Sequence, residues 1–462
     1  MKTTYYLGID LGTSSVKGIL RGSDGSSYRA KSAYESRDPS GWRAAIVRML
    51  HSFPADARAA TQAISFSSQV GTYVVDGREV IGWQSPAGRE ELQEIKEKIS
   101  QEEFIREIGM PHPDIISYPL PRLLYIQRHC PDAREVLMPK EFFLRELTGE
   151  CVTDVFSMRG IANPNTGKYA KTLLERLGIT LPLPPVKRPT DRAGLLTRTA
   201  AEVYGLPVGT PVYLGCNDFF AGLLGMGVYD ENTAFDLSGT SEHVGFISPA
   251  LLPDGVVSGP YFNGFCSYGG TKSSGVSCAF AMKHFGVEGL ALGPSLERNP
   301  PLFLPYLNGE RAPIFDENAR GVYFGIGEAT EQRDLAYATL EGVALSLRDI
   351  AEAMGMPHPD RLIVGGGSAV DPLMNALRAE LFGCPVRCVR ENDTSALGAV
   401  MLAMLGDGLY ADVREAIDAC VEYAEPILPT GRYTEILDER FSLYRKLYRD
   451  LKDSFVLFNK RR

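Results

Sequence analysis

The chain has 462 residues, of which 44% are hydrophobic and 23% are charged, and its formal net charge is -9. This length exceeds what one ordinary hydrophobic core spans, so we expect two large domains, and the ordinary composition argues against disorder over most of the chain. The acidic balance, without a basic stripe, excludes a nucleic-acid surface and favours a small polar substrate.

The sequence also shows no pattern typical of a targeting peptide, a membrane span or a redox-active or zinc-binding cysteine motif. No stretch approaches the ~20 apolar residues that a membrane span needs, and the apolar start is broken by Asp10, so we expect neither a signal peptide nor a membrane partner. The eight cysteines form no CxxC pair and have no histidine at zinc spacing, which predicts reduced, mostly buried thiols. We therefore expect a cytoplasmic protein, whose oligomeric state, a homodimer included, is left open.

The first predicted element is a β-hairpin, because apolar and polar residues alternate on both sides of the Gly-Thr-Ser-Ser turn in YYLGIDLGTSSVKGIL, residues 5–20. The stretch NTAFDLSGTSEHVGFI, residues 232–247, has the same design of strand, aspartate, turn and strand. A repeat at domain scale indicates two copies of one architecture. We expect an N-terminal domain at 1–247 and a C-terminal domain at 248–462.

Helices and strand–turn–helix units are predicted for much of the remaining chain from periodicity and from proline and glycine positions. In chain order they are helices at 89–109 and at 121–150 with breaks at Pro131 and Pro139, a stiff proline-rich connector at 181–189, a buried strand from Pro211 leading into a helix, an amphipathic helix at 333–355, and strand-to-helix units from 361 and from 384.

The first hairpin turn has the chemistry of a phosphate-binding loop. Backbone N–H groups and hydroxyls of Gly12, Thr13 and Ser14 can wrap phosphate oxygens, and Lys17 lies on the return strand. Asp10, just before the turn, can hold Mg2+ through water, since hard cations prefer oxygen ligands. Such turns are more often plain hairpins, and it is the second copy of the motif that favours phosphate binding here.

A third glycine-rich feature, Gly365-Gly366-Gly367-Ser368, connects an apolar strand to a helix. Glycines let the backbone approach a flat ligand, and a helix N-terminus favours an oxygen-rich one. The sequence fits neither GxxxxGK[ST] nor GxGxxG. A tight structural turn is the alternative, but beside the duplicated hairpins the turn favours an adenosine site.

Asp218 is the predicted catalytic base. It follows the strand PVYLGCN and precedes an apolar helix, so it lies at the carboxyl end of a strand, where open α/β sheets bind ligands. The alternative is that its carboxylate caps the helix, and the two roles are compatible. In phosphoryl transfer an aspartate takes the proton of the attacking hydroxyl, and no other acid lies between Pro207 and Tyr229.

Together these motifs resemble the FGGY carbohydrate kinase family over essentially the whole chain. The stretches DLGTSSVK and SGTSEHVGF resemble its two phosphate motifs, LIVGGGSAVDPLMNALRAELFG its adenosine motif, and LGCNDFFAGLLGMG the segment with its catalytic aspartate. Residues 321–341, GVYFGIGEATEQRDLAYATLE, are similar to its C-terminal signature. Residues 117–129 resemble its central signature, with Arg122 and Tyr125 where the family usually has Lys and Trp.

The resemblance implies an α/β protein of two actin-like, ribonuclease-H-like domains with a nucleotide cleft between them. It also implies ATP and Mg2+ as cofactors, and transfer of the γ-phosphoryl group to a hydroxyl of a small sugar or polyol, with xylulose or a related ketose foremost. By this resemblance Asp10 places the Mg2+ and Asp218 is the base. The implied nucleotide-binding residues are Gly12, Thr13, Ser14, Lys17, Gly239, Thr240, Gly275, Gly366 and Gly367.

The implied sugar-binding residues are Gln69, Val70, Gly71, Trp83 and Asp218, and here the chain departs from the family. Xylulokinase-like members read QMHG where this chain has QVGT, and WxDxR where it has WQSPAGR; the QRE of glycerol kinases is absent too. A buried polar group without a partner costs about 1–3 kcal/mol, so the altered loop changes which hydroxyls can be paired. The sequence leaves the sugar open.

Two other functions remain alternatives. An actin- or Hsp70-like ATP-switched protein would use the same two-lobed clamp, but the C-terminal signature, the isolated Asp218 and the lack of a large peptide-binding domain favour a kinase. A catalytically degenerate sugar sensor is compatible with the altered loop at 69–72, whereas the intact Asp10, Thr13 and Asp218 argue against it.

Overall fold

A computed structural model of the protein describes residues 3–112, 115–238, 242–252 and 257–460. Contacts divide the chain into two units, one formed by Met1–Gly227 with Asp393–Val421 and the other by Val228–Asn392 with Glu422–Arg462. Among the described residues, no helix has both the length and the apolar character needed to cross a bilayer. All eight cysteines lie in this part of the chain as free thiols, five of them buried.

The strands of the described residues are β1 Tyr5–Leu11, β2 Ser15–Gly22, β3 Ser27–Ala33, β4 Thr61–Ser68, β5 Tyr73–Val75, β6 Glu79–Ile81, β7 Val136–Leu137, β8 Thr153–Asp154, β9 Ala162–Asn163, β10 Lys168–Tyr169, β11 Val186–Lys187, β12 Arg192–Leu195, β13 Pro211–Asn217, β14 Thr233–Ser238, β15 Glu242–Ser248, β16 Val257–Pro260, β17 Phe265–Thr271, β18 Leu302–Leu304, β19 Val322–Phe324, β20 Arg361–Gly366 and β21 Val386–Cys388.

The α-helices of the same residues are α1 Pro39–His51, α2 Ala55–Ala59, α3 Arg89–Lys98, α4 Gln101–Ile108, α5 Pro119–His129, α6 Pro139–Thr148, α7 Lys171–Arg176, α8 Arg198–Tyr204, α9 Asp218–Gly225, α10 Ser274–His284, α11 Leu292–Leu296, α12 Gln332–Ala353, α13 Pro372–Phe382, α14 Thr394–Asp407, α15 Val413–Cys420 and α16 Thr434–Asn459. A short 3-10 helix, Gly367–Val370, follows β20.

The first unit is built on a mixed sheet in the order β12–β13–β4–β1–β2–β3. The strands β1, β2 and β3 form an antiparallel meander, which confirms the predicted hairpin around the Gly-Thr-Ser-Ser turn. Strand β4 is parallel to both β1 and β13. The carboxyl ends of these three neighbouring strands therefore lie at one edge of the sheet.

The second unit repeats this arrangement in the order β16–β17–β15–β14–β20–β21. Here β14 and β15 form the predicted hairpin and β17 extends it antiparallel, while β20 and then β21 continue on the other side in parallel. The hairpin, the third antiparallel strand and the two parallel strands match the first sheet one for one. The duplication that the sequence predicts is thus confirmed at the level of strand order.

The division of the chain differs from the predicted boundary between 247 and 248. The hairpin β14–β15 belongs to the second unit because it pairs with β17 and β20 of that sheet. The C-terminal segment 393–421 belongs to the first unit. Its helix α14 packs closely against β1 and α9, a long-range contact that local sequence patterns do not reveal.

Each sheet is covered by helices whose apolar faces form the core. In the first unit, Ile46 of α1, Phe143 of α6 and Tyr204 of α8 pack on Ile9 and Phe66 of the sheet. In the second unit, α12 confirms the predicted amphipathic helix, and its buried side chains join those of α13 and α16 in a second core.

The predicted helix over 89–109 is two helices, α3 and α4, separated at Ser100. The Ser100 hydroxyl accepts the backbone N–H of Glu103 at 3.2 Å, so it caps a new helix. The pattern Ser-x-x-Glu carried this signal in the sequence. Residues 121–150 divide into α5 and α6, as the two prolines predicted.

Helix α14 approaches its neighbours so closely that glycine is required at the contacts. A Cβ atom on Gly398 would lie 1.9 Å from the carbonyl oxygen of Ala221 in α9, and one on Gly8 of β1 would lie 2.3 Å from the carbonyl oxygen of Ala396. Backbone-to-backbone packing of this kind leaves no room for a side chain, so these glycines fix α14 in the first unit.

We predict that Gly398→Ala destabilises the protein by about 2–3 kcal/mol, because the added methyl group must push backbone atoms apart. Gly82→Ala is the matched control, since a Cβ atom there meets nothing within 4 Å, and its free energy of unfolding should stay within about 0.5 kcal/mol of the wild type. Urea unfolding measures both. A Gly398→Ala protein as stable as the control would contradict the close packing of α14.

Candidate active site

Three adjacent parallel strands of the first unit end beside one another and supply the predicted site residues. Strand β1 leads into Gly12, β4 into Gln69, and β13 into Asp218. The register places Asp10 opposite Ser67 of β4, and Ser67 opposite Cys216 of β13. Carboxyl ends of parallel strands are where open α/β sheets bind ligands. The fold therefore gathers the predicted metal, sugar and base positions of this unit at one edge.

Asp10 is held out of water at this edge, with only 5% of its surface exposed. Its Oδ1 accepts a hydrogen bond from the Ser67 hydroxyl at 2.7 Å. Burial raises the pKa of Asp10, the Ser67 hydrogen bond and the Lys17 ammonium oppose this shift, and the charge of Asp393 adds to it, so that the pKa lies at about 6. The carboxylate is thus costly to ionise without a nearby cation.

Asp218 is the first residue of α9 and is partly exposed. The helix is capped by Asn217, whose Oδ1 accepts the Phe220 N–H at 2.8 Å, so Asp218 does not serve as the N-cap. Its own Oδ1 accepts the Phe219 N–H at 2.9 Å. Burial, and then the charge of Asp10, raise the pKa of Asp218 to about 7.

Two further contacts fix the backbone around Asp218. The Asn217 side chain donates to the carbonyl oxygen of Phe156 at 3.0 Å, and the Ser395 hydroxyl of α14 donates to the carbonyl oxygen of Asp218 at 2.9 Å. The start of α9 is therefore tied both to the segment before β9 and to α14. Because its backbone is fixed, the Asp218 carboxyl group can take the same position relative to a substrate hydroxyl each time.

Asp393 lies beside the predicted site, and the sequence analysis did not identify it. It lies immediately before α14 and forms an ion pair with Lys17, with 2.9 Å between Nζ and Oδ1, and both side chains are partly exposed. The only signal in the sequence was an acidic residue between a strand and a helix, as at Asp218. Because α14 belongs to the first unit, this carboxylate stands beside the first phosphate motif.

The predicted phosphate turn and the predicted sugar-binding segment meet at Trp83. The Gly12 N–H donates to the Ser15 carbonyl at 3.2 Å and closes the turn, in which Ser14 is exposed. The Trp83 indole N–H donates to the Thr13 hydroxyl at 3.3 Å, and 37% of the Trp83 surface is exposed. The indole is thus an exposed apolar surface beside the predicted phosphate-binding hydroxyl.

The turn that carries Trp83 is anchored by Arg122, a completely buried side chain. The Arg122 Nη2 donates to the carbonyl oxygens of Trp83 at 2.9 Å and of Ser85 at 2.8 Å. The sequence identified Arg122 as a departure from the family signature but not this role. Because one nitrogen of the guanidinium donates to both carbonyl oxygens, Arg122 connects the two ends of this short turn.

The loop after β4 also places the other predicted sugar-binding residues. Gln69 is 8% exposed, and no described residue forms a hydrogen bond with its buried Oε1. Val70 is partly buried. Gly71 has a φ of 78°, and a Cβ atom there would lie 2.3 Å from the Ser117 carbonyl oxygen. Glycine is required at 71, and the amide oxygen of Gln69 is an acceptor that still lacks a donor.

In the second unit the glycine turn packs directly on β14. Gly366 has a φ of 87°, and a Cβ atom there would lie 1.9 Å from the Ser238 carbonyl oxygen, so only glycine fits. Gly367 is exposed with open space around its Cα. Gly275, in the first turn of α10, is partly exposed. Gly239 and Thr240 lie outside the described residues.

The donor set in the first unit suits Mg2+ held jointly with phosphate oxygens. Among the described residues there is no group of three or more His, Cys, Asp or Glu side chains that could hold a metal ion. Mg2+ keeps several waters and is commonly bound by one or two carboxylates together with substrate phosphates. The buried carboxylate of Asp10 meets that requirement.

Comparison with known proteins identifies the family. Residues 5–225 match the N-terminal domain of the FGGY family of carbohydrate kinases, and residues 237–406 match its C-terminal domain. The chain is 29% identical over 504 residues to a xylulose kinase from Lactococcus lactis subsp. lactis (strain IL1403), with 99% of each chain covered.

Solved structures agree with this at the level of the fold. A gluconate kinase from Lactobacillus acidophilus superposes with a TM-score of 0.86 at 23% identity, covering 99% of this chain and 100% of that one. A ligand-bound xylulose kinase from the same species gives a TM-score of 0.85 at 23% identity, covering 98% and 100%. With both domains matched over most of its length, the chain belongs to the FGGY family of carbohydrate kinases, ATP-dependent enzymes built from two actin-like α/β domains.

Proposed function

We propose that this carbohydrate kinase transfers the γ-phosphoryl group of ATP to a hydroxyl of xylulose or a closely related ketose, with Asp218 as the base and Asp10 as the residue that places Mg2+. The observation that carries the proposal is the position of Asp218: a partly exposed carboxyl group with a pKa of about 7, fixed at a strand end and influenced by the buried carboxyl group of Asp10. The named relatives favour a kinase over an ATP-switched protein, and the xylulose kinase among them favours a ketose.

In the proposed reaction the substrate hydroxyl oxygen forms a bond to the γ-phosphorus while the bond to the β,γ-bridging oxygen breaks. The hydroxyl proton passes to the Asp218 carboxylate, and ADP leaves. A base whose pKa lies near the working pH combines a useful ionised fraction with proton affinity. Bound Mg2+ supplies positive charge that balances the phosphates. Lys17, released from Asp393, provides a further cation for the β-phosphate side.

The sugar would lie against the loop after β4 and the Trp83 turn. The unpaired Oε1 of Gln69 can accept a hydrogen bond from a sugar hydroxyl, and the exposed Trp83 ring can cover an apolar face of the sugar. Val70 and Gly71 contribute only backbone polar groups, so fewer side-chain hydrogen bonds are available than in a loop with a histidine or an arginine. This favours a substrate that makes fewer polar contacts there.

We predict that Asp218→Asn lowers kcat by about 10²–10⁴-fold, because the amide cannot take the hydroxyl proton. A coupled assay of ADP release over ketoses, aldoses, polyols and sugar acids measures the effect with the best substrate. Asp132→Asn, which changes an exposed aspartate of the same unit, should keep wild-type kcat. If Asp218→Asn keeps full activity, or if no sugar raises ADP release above the basal rate, the proposal fails.

Asp218→Asn should also stabilise the ligand-free protein at alkaline pH. Since burial and the charge of Asp10 raise the folded pKa of Asp218 to about 7 from an ordinary value of 3.8, the folded state carries more bound proton than the unfolded state at pH values between these two. The contribution of Asp218 to the free energy of unfolding is therefore lost as pH rises through about 7.

Each pKa unit corresponds to about 1.4 kcal/mol, and partial exposure reduces the effect, so we expect Asp218→Asn to be about 1–2 kcal/mol more stable than the wild type at pH 8. Urea unfolding at intervals from pH 5 to pH 8.5 should show a difference that grows and then levels off above neutral pH. A variant less stable than the wild type at pH 8 would show that the Asp218 carboxylate is not strained by burial.

Gln69→Leu tests the sugar side of the site. Removing the amide should lower kcat/KM for the sugar about tenfold, corresponding to roughly 1.4 kcal/mol, and leave the KM for ATP unchanged. Gln62→Leu, on the exposed face of the same strand β4, is the control and should behave as the wild type. Equal losses toward sugar and ATP would mean that Gln69 supports the strand rather than the substrate.

A further inference from the structure

Arg378 of α13 joins three other segments of the second unit while being completely buried. Its Nε donates to Asp236 Oδ2 of β14 at 2.6 Å, and its Nη2 donates both to Glu242 Oε1 of β15 and to the Ser368 hydroxyl, each at 2.6 Å. Its Nη1 donates to Asn375 Oδ1 at 2.9 Å on the same helix. One guanidinium thus connects both strands of the hairpin β14–β15 to the turn after β20.

A second set of contacts ties the same turn to the end of β14. The Ser238 hydroxyl donates to the Gly365 carbonyl at 3.0 Å and accepts the Ser368 N–H at 2.8 Å. Gly366 lies directly against Ser238, with no room for a side chain. Ser238, the last residue of β14, therefore contacts the glycine turn directly. Glu242, the first residue of β15, is connected to the same turn through Arg378.

The charges of this cluster balance when one carboxyl group keeps its proton. Asp236 and Glu242 are both fully buried and share a single cation. Burial raises the pKa of Asp236 well above its ordinary value although Arg378 opposes it, and the hydrogen bond with Glu242 favours the protonated form. With a proton on Asp236, the cluster of two carboxyl groups and one guanidinium approaches electrical neutrality, which is the state that a buried site favours.

We propose that Arg378 is a positioning residue for the nucleotide, which holds the hairpin β14–β15 and the Gly365–Ser368 turn in one fixed arrangement. The inference rests on the proposed function together with the family resemblance, by which the hairpin carries a phosphate motif and the glycine turn belongs to the adenosine motif. Arg378 lies too deep to touch the nucleotide, and it acts through Glu242, Ser368 and, by way of Ser368, Ser238. Its loss should weaken recognition of the triphosphate more than recognition of the nucleoside.

The test compares variants that keep the cluster neutral. The triple variant Arg378→Met, Asp236→Asn, Glu242→Gln removes the guanidinium without leaving a buried charge. Arg378→Lys keeps the charge but replaces the planar guanidinium, whose separate nitrogens reach Asp236 and Glu242, with a single ammonium nitrogen. Asp236→Asn alone mimics the protonated Asp236 and is the matched control, and Arg387→Met, on the exposed side of β21, controls for loss of positive charge.

Calorimetric titration with the Mg2+ complex of β,γ-imido-ATP and with AMP gives the preference of each protein for the triphosphate. We expect the triple variant and Arg378→Lys to lose this preference about tenfold or more and to lose kcat about 10- to 100-fold, with the KM for the sugar unchanged. Asp236→Asn and Arg387→Met should match the wild type in both measurements.

A triple variant or Arg378→Lys with a wild-type melting temperature and an unchanged preference would overturn the inference while leaving the kinase intact. Equal losses toward AMP and the triphosphate would overturn it as well, because Arg378 would then only support the glycine turn. A wild-type protein that binds neither ligand would overturn the proposed function itself, and the inference with it.

Discussion

Two carboxyl groups with raised pKa values, Asp10 on β1 and Asp218 directly after β13, lie at the ends of the two strands that flank β4. Burial raises the pKa of Asp10 and, together with the negative charge of Asp10, the pKa of the partly exposed Asp218. Ser67 and the Phe219 N–H stabilise these groups only in part. The arrangement costs stability in the free protein and becomes favourable when cations and a proton-donating substrate arrive, as catalytic sites commonly require.

The two halves of the molecule share an architecture but have diverged in charge. The aspartate before the first turn, Asp10, stands near Lys17 and can serve a metal, whereas its counterpart before the second turn, Asp236, is bound to the buried Arg378. The same strand order therefore holds a carboxyl group that can serve a metal in one unit and a carboxyl group bound to a buried arginine in the other. The two units therefore share one strand arrangement, and the residues packed beneath each turn determine the function of that turn.

Much of this could be predicted from the sequence because the signals are local. The hairpins, the strand leading to Asp218 and helix α12 follow from alternation and periodicity, and the Gly-rich turns mark where strands end. The sequence does not predict that residues 393–421 belong to the first unit, because this depends on contacts between segments far apart in the chain. Asp393, Arg378 and the anchoring role of Arg122 were missed for the same reason: each acts through partners distant in sequence.

The most direct test of the account is the rate of phosphoryl transfer in a single turnover, followed by rapid quench with labelled ATP and D-xylulose across pH 5.5–8.5. If Asp218 is the base, the wild-type rate rises with pH through the neutral range as the carboxyl group ionises, and the Asp218→Asn rate is slow and independent of pH. A variant that keeps the pH-dependent rise, or a wild-type rate that does not change with pH, would contradict the central role of Asp218.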